Sequence, residues 1–156
     1  MASRYGIDQE TIVKRLTFDR VVQLTNDAGG DTIDTDNLDE AIAGAEDEFD
    51  LYAGVYFVTP VRDASDAVPA GLRRKLIELV CWYLMMRRAE LLKNSNDEGD
   101  LWKGRREELL TWMEGIGPTS LPGAVKLTAP GGSKLGTATV ISDAPRFSAD
   151  RMVGFH

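Results

Sequence analysis

The chain has 156 residues and a mass of 17.2 kDa, with 43 % apolar and 28 % charged side chains. That is one domain's worth of sequence with enough apolar material for a buried core, which excludes wholesale disorder. The single cysteine, Cys81, excludes an internal disulfide and any multi-cysteine metal site, and the single histidine, His156, is the last residue, which tells against a Ser-His-Asp arrangement.

No run reaches 18 apolar residues, and Met1 to Gly6 lacks an apolar signal-peptide stretch, so neither a membrane span nor a secretion signal is expected. The net charge is −7 and is unevenly placed. Residues 1–71 carry five basic and fifteen acidic side chains, residues 72–117 nine and eight, and residues 118–156 four and two. An acidic N-terminal half lacks the basic patch that a nucleic-acid binder uses to displace counterions. It reads either as a solvated surface or as a face that must not retain a polyanion.

In chain order, Asp8 caps a short helix over 8–16, with Ile12, Val13 and Leu16 on one side. A second short helix starts near Asp19, carrying Val21, Val22 and Leu24. Thr25 to Asp31 is a loop of turn formers. The first strong helix spans 36–56, capped by Thr35 or Asp36. Its stripe is Leu38, Ala41, Ile42, Ala45, Phe49, Tyr52 and Tyr56, opposite Asp39, Glu40, Asp47, Glu48 and Asp50. Val55 to Val61 is a short apolar run broken by Pro60, followed by a polar loop over 62–70.

The second strong helix spans 70–93 and is apolar on most sides in its middle, which calls for several neighbours or another subunit. Residues 94–100 read as a loop, and 101–116 as the third strong helix, stopped by Gly115 and Gly117-Pro118. From 118 onward no helical period remains. Leu121, Val125, Leu127 and Thr137 to Ile141 suggest extended segments, and Ala129 to Ser133 a linker. The expected fold class is mostly α: a small helical bundle over 1–117 with an extended, partly β C-terminal tail over 118–156. The tail ends in Arg146, Phe147, Arg151, Met152 and Phe155, residue types that interfaces favour and disorder avoids. These five are read as partner-binding.

The candidate chemistry is thin. The Asn26–Asn37 loop fails the EF-hand ligand spacing, with Ala28 and Gly30 at ligand positions, so a turn plus helix cap is the better account. Gly131-Gly132-Ser133-Lys134 lacks phosphate-loop spacing. Cys81 lies on an apolar helix as an inert thiol. Trp82, Trp102 and Trp112 are read as core or subunit contacts. Arg73-Arg74-Lys75 is read as a solvated first turn, and Arg87-Arg88 as complementing its own helix dipole. Asp63 and Asp66 are a loop pair of the kind any surface supplies. No nucleophile, base and orienting group come together, so no enzyme, cofactor or metal is expected.

The order of elements resembles the Mu-type tailed-phage head-to-tail connector (adaptor) family. The matching signals are Leu24-Thr25-Asn26-Asp27 with Ile33-Asp34; Ala41-Ile42, Ala45 and Phe49-Asp50-Leu51-Tyr52; Tyr56 with Pro60; Val68-Pro69 with Leu72; Tyr83; Trp112; Gly117 and Leu121-Pro122-Gly123. The end, Arg146-Phe147-Ser148 with Asp150 and Gly154-Phe155, is similar as well. Val55 stands where a basic residue is common in that family, and the 61–67 loop is long.

The resemblance implies a structural neck protein of the virion, assembled in the host cytoplasm. It forms a ring with copies of itself, usually twelve, below the portal protein, and presents a platform to the next neck or tail protein. DNA passes through without specific binding, and Asp39, Glu40, Asp47 and Glu48 are read as conduit-facing. A tail-completion protein binding the tail tube, or a small helical enzyme or regulator, are the alternatives.

Overall fold

The computed structural model describes residues 3–69, 71–92 and 96–127, with side chains at 91, 92 and 96–98 outside the description. Among these residues the chain is mostly helical, with six helices: α1 (Gln9–Leu16), α2 (Phe18–Thr25), α3 (Thr35–Ala53), α4 (Leu72–Arg87), α5 (Ala89–Leu92) and α6 (Asn96–Glu114).

Asp8 caps α1, accepting from the Thr11 amide at 2.8 Å. The chain then turns into α2 through Thr17 at φ 84°, ψ 152°, a glycine-type conformation in which a β-branched residue is strained. The α2–α3 loop is organised by Asn26, whose side-chain oxygen accepts from the Ala28 and Gly30 amides at 2.9 and 3.3 Å. The cap of α3 is Asp34, one residue before the expected candidates. Its carboxylate accepts from the Asp36 and Asn37 amides, both at 3.1 Å, and satisfies two orphan donors. Of the expected α3 stripe, Leu38, Ala41, Ile42, Ala45 and Phe49 are buried and Tyr52 is half-buried, but the helix ends at Ala53 rather than at 56, so Tyr56 lies beyond it and is exposed.

α4 packs against every other helix. That accounts for most of its apolar breadth within one chain, while Trp82 is half-buried and Met86 exposed. It ends at Arg87, well short of residue 93, because Arg87 and Arg88 turn onto the end of α2. Arg87 donates to the Leu24 and Thr25 carbonyls at 3.3 and 3.2 Å, and Arg88 to the Asn26 carbonyl at 3.3 Å. Both also hold Asp27. The two arginines therefore cap a neighbouring helix rather than their own, taking up carbonyls that α2 leaves unpaired. The stretch 96–100, expected as loop, is the first turn and more of α6; its Asn, Asp and Glu residues are ordinary N-terminal helix residues. Trp102, Leu109, Met113 and Ile116 face inward.

The segments 56–63 and 124–127 pair antiparallel, with bridges Phe57–Lys126 and Asp63–Ala124. The ladder bonds run from Val58 N to Val125 O (3.0 Å), Val125 N to Arg62 O (2.8 Å) and Leu127 N to Tyr56 O (3.0 Å). Leu121 and Ala124 are buried in the common core. The packed body thus extends to Leu127, and the first ten residues read as tail lie against it. Residues 128–156, including Arg146, Phe147, Arg151, Met152 and Phe155, lie outside the described residues.

Candidate interaction surfaces

The most densely bonded polar cluster lies beneath the N-terminal segment. Glu46 stands inside the apolar stripe of α3 and is 2 % exposed. Its carboxylate accepts from Ser3 Oγ (2.5 Å), the Arg4 and Tyr5 amides (3.1 and 3.2 Å) and Arg4 Nε (3.2 Å). One helical turn on, Asp50 accepts from the Tyr5 hydroxyl and, at 2.8 Å, from Arg4. The Tyr5 hydroxyl also accepts from the Val61 amide at 2.9 Å, and its ring meets Phe49 edge-on. Burial raises the Asp50 carboxyl above the ordinary aspartate value, against the Tyr5 hydrogen bond that lowers it. Every donor and acceptor here serves the latch between segment 3–7, α3 and the 57–61 turn, so the cluster is structural. Its sequence signal was a carboxylate four residues after Ile42 and three before Phe49, on the buried stripe.

The four carboxylates read as conduit-facing do not share one environment. Glu40 is exposed and makes no hydrogen bond or ion pair among the described residues. Asp47 is exposed and pairs with Arg4. Asp39 is half-buried and engaged. Glu48 is tied down: Arg106 on α6 pairs with it and the Tyr83 hydroxyl donates to it at 3.0 Å. The Arg106 guanidinium also lies 4.2 Å from the Trp82 ring centroid, a cation–π contact. Burial pushes the Tyr83 hydroxyl up to about 12.

The loop candidates resolve into turns. Asp63 accepts from the Ser65 and Ala67 amides at 2.8 and 3.0 Å, while Asp66 faces Arg62 across the same loop at 4.0 Å. Arg73, read as solvated, donates to the Gly6 carbonyl at 2.6 Å and helps hold the N-terminal segment. Lys75 lies 5.9 Å from the Trp112 ring centroid. Cys81 is buried, and that burial pushes its thiol up to about 12. Trp102 is core, and Trp82 and Trp112 are half-buried against it.

Among the described residues, two places gather several outward-turned apolar side chains, while Phe18 and Leu101 are exposed elsewhere. The first is the ladder. Phe57 points into the core, so its neighbours Tyr56 and Val58 point out, beside Val125 and Leu127 on the paired segment. Val55 and Leu51, the latter 75 % exposed, lie just before it in the chain. Exposed apolar groups gathered in this way mark interaction sites. The second is a groove of about 400 Å³ between α3 and α4, lined by Asn37, Glu40, Ala41, Gly44, Trp82, Tyr83, Met86 and Arg87. Gly44 lets the Tyr83 ring lie on the backbone of α3: a Cβ there would stand 3.0 Å from Tyr83 Cε1. Neither surface offers a nucleophile with a base. Among the described residues no group of three or more His, Cys, Asp or Glu side chains could hold a metal ion, and no helix is long and apolar enough to cross a membrane.

The sequence model of the family described as "Bacteriophage Mu, Gp36" matches residues 7–138. That is most of the chain, and the chain belongs to this family. No curated protein matches it.

Proposed function

Starting from membership of a phage family, we propose that the chain is a structural protein of the virion neck: a head-to-tail connector that forms a ring below the portal, extends the DNA conduit and joins the head to the next neck or tail protein. The observation that carries this reading is the apolar ladder surface of Tyr56, Val58, Val125 and Leu127, which reaches the last described residue. A surface of this kind suits contact between copies or with the portal. The aromatic and basic C-terminal residues Arg146, Phe147, Arg151, Met152 and Phe155 supply the anchor types that such a contact uses. Charge supports the conduit role through the outer face of α3, where Glu40 is exposed and Asp47 is exposed but shares Arg4, and like charge weakens DNA retention. Glu48 contributes little to this, since Arg106 neutralises it.

The test is native mass measurement of the purified chain alone, with portal protein and with a tail-tube terminator. A ring-sized complex with portal is expected, disrupted by Val58→Asp and by Leu127→Asp. Deleting 144–156 should leave the helical signal intact and weaken attachment to heads. A chain that stays monomeric with portal and binds the tail terminator instead would sink the connector reading.

A further inference from the structure

Two faces of the body carry opposite charge in excess of what the chain itself answers. The first is a hollow of about 220 Å³ between α1 and α4, lined by Thr11, Lys14, Arg15, Arg74, Ile77 and Glu78. Glu10 holds Lys14 at 2.6 Å, but Glu78 alone faces both Arg15 at 3.3 Å and Arg74 at 3.9 Å. Arg73, beside Arg74, spends its donors on the uncharged Gly6 carbonyl and Thr11 hydroxyl. Both arginines stand in the first turn of α4, where the helix dipole favours acids and none is present. Phe18, three residues after Arg15, is 47 % exposed.

The second face is the outer side of α6. Leu101 is 53 % exposed, and Gly104, Glu107, Glu108, Thr111 and Glu114 follow it at steps of about one turn, all exposed. Asp100 meets Lys103 at 3.7 Å, but Glu107, Glu108 and Glu114 make no hydrogen bond or ion pair among the described residues. Glu114 lies in the last turn, where the dipole favours bases and none is present. Gly104 weakens the helix interior, and a Cβ there would meet nothing within 4 Å, so packing within the described body does not ask for glycine. Its place leaves room for another molecule close to α6.

Each face thus asks for what the other offers: charge of the opposite sign and one large apolar side chain. A second copy of the chain brings both. We propose that copies meet head to tail, the α1–α4 hollow of one receiving the carboxylates of the outer α6 face of the next, with Phe18 and Leu101 as the apolar part of the contact. Because the two faces differ, the contact is heterologous, and it propagates into a ring or a filament instead of closing on a pair. The proposal rests on the connector reading for the association of copies. It adds which faces meet, and it leaves the ladder surface to the portal.

The experiment uses two charge-reversed full-length variants, Lys14→Glu with Arg74→Glu and Glu107→Lys with Glu114→Lys. All four side chains are exposed, and each variant is first checked for native helical content. Association of copies is read without portal by sedimentation velocity in low salt, and on portal by native mass. Each variant alone should associate at least about ten-fold more weakly than the wild type, because like charges then face each other. An equal mixture of the two should recover association, since the reversed hollow of one meets the reversed α6 of the other. Variants that associate like the wild type, a mixture no stronger than its components, or wild-type copies that associate in neither setting would each overturn the proposal. Recovery in the mixture with no binding to portal would leave this contact standing and remove the connector reading. A portal-bound ring indifferent to both reversals would do the opposite.

Discussion

Tyr5→Phe isolates the latch under the N-terminus. The substitution keeps the ring, its burial and its edge-on contact with Phe49, and removes one oxygen. That oxygen donates to Asp50 and accepts from the Val61 amide at 2.9 Å, and Val61 is wholly buried. The variant therefore leaves a buried N–H with no acceptor, which costs about 1–3 kcal/mol. Asp50 keeps its 2.8 Å bond from Arg4, so its own loss is smaller. The expected destabilisation is about 2 kcal/mol, seen in urea unfolding as a lower midpoint at unchanged slope.

Titration gives a second readout of the same atom. Burial already lifts the Asp50 carboxyl above the ordinary 3.8, and the Tyr5 hydrogen bond opposes that lift. Removing the hydroxyl should raise it further in a carbon-detected titration. The folded chain binds this proton more tightly than the unfolded chain, so the stability linked to it is present below pH 3.8 and falls as pH rises through the elevated folded value. Tyr5→Phe should deepen that fall. Tyr52→Phe serves as the control, being half-buried with no hydrogen bond from its hydroxyl among the described residues. A loss below about 0.5 kcal/mol in Tyr5→Phe, equal to that of the control, would refute the latch.

Asp34→Ala removes the α3 cap and should cost about 1 kcal/mol in chemical unfolding, while Asp36→Ala should cost far less, since Asp36 only follows the cap. Asp27 is held below the ordinary aspartate value by its hydrogen bond from Arg87. Its contribution is therefore present above pH 3.8 and lost as pH falls through the lower folded value, and Asp27→Asn should flatten that part of the acid limb measured by circular dichroism. Cys81 should resist alkylation at pH 8 in the native chain and react fully in urea, because burial keeps the thiol protonated; rapid native labelling would contradict its place on the buried side of α4.

What was legible in the sequence was the part governed by local periodicity. The α3 stripe from Leu38 to Phe49, the Asp8 cap and the buried Cys81 follow from spacing and residue type and stand in the structure, whereas Tyr56, read as the stripe's end, lies beyond the helix and is exposed. What spacing could not supply was the identity of distant partners. Arg87 and Arg88 look like ordinary C-terminal helix residues until α2 is brought beside them; then they end α4 early and close α2. The same holds for α4 itself. Its apolar breadth admitted two coverings, neighbouring helices or a neighbouring subunit, and only the packing of α1, α2, α3 and α6 around it shows that helices of the same chain cover most of it. The ladder was half visible: extended segments were expected at Leu121, Val125 and Leu127, but not that they would pair with 56–63.

The charge pattern of α3 shows why a residue count does not define a surface. Asp39, Glu40, Asp47, Glu48 and Asp50 read as one face of this helix, yet these acids and the buried Glu46 serve different ends. Glu46 and Asp50 hold the N-terminal segment, and Glu48 joins α3 to α6 through Arg106. Asp47 shares Arg4 with that latch, while Glu40 is exposed and stands in the field of Arg87. The same residue stands on the rim of the α3–α4 groove. If this face meets DNA, as the connector reading has it, the repulsion acts over a Debye length of about 8 Å in physiological salt and fades as salt rises. Glu40→Gln should then change DNA retention at low salt and leave it unchanged at high salt; an equal effect at both would show that charge is not what Glu40 contributes.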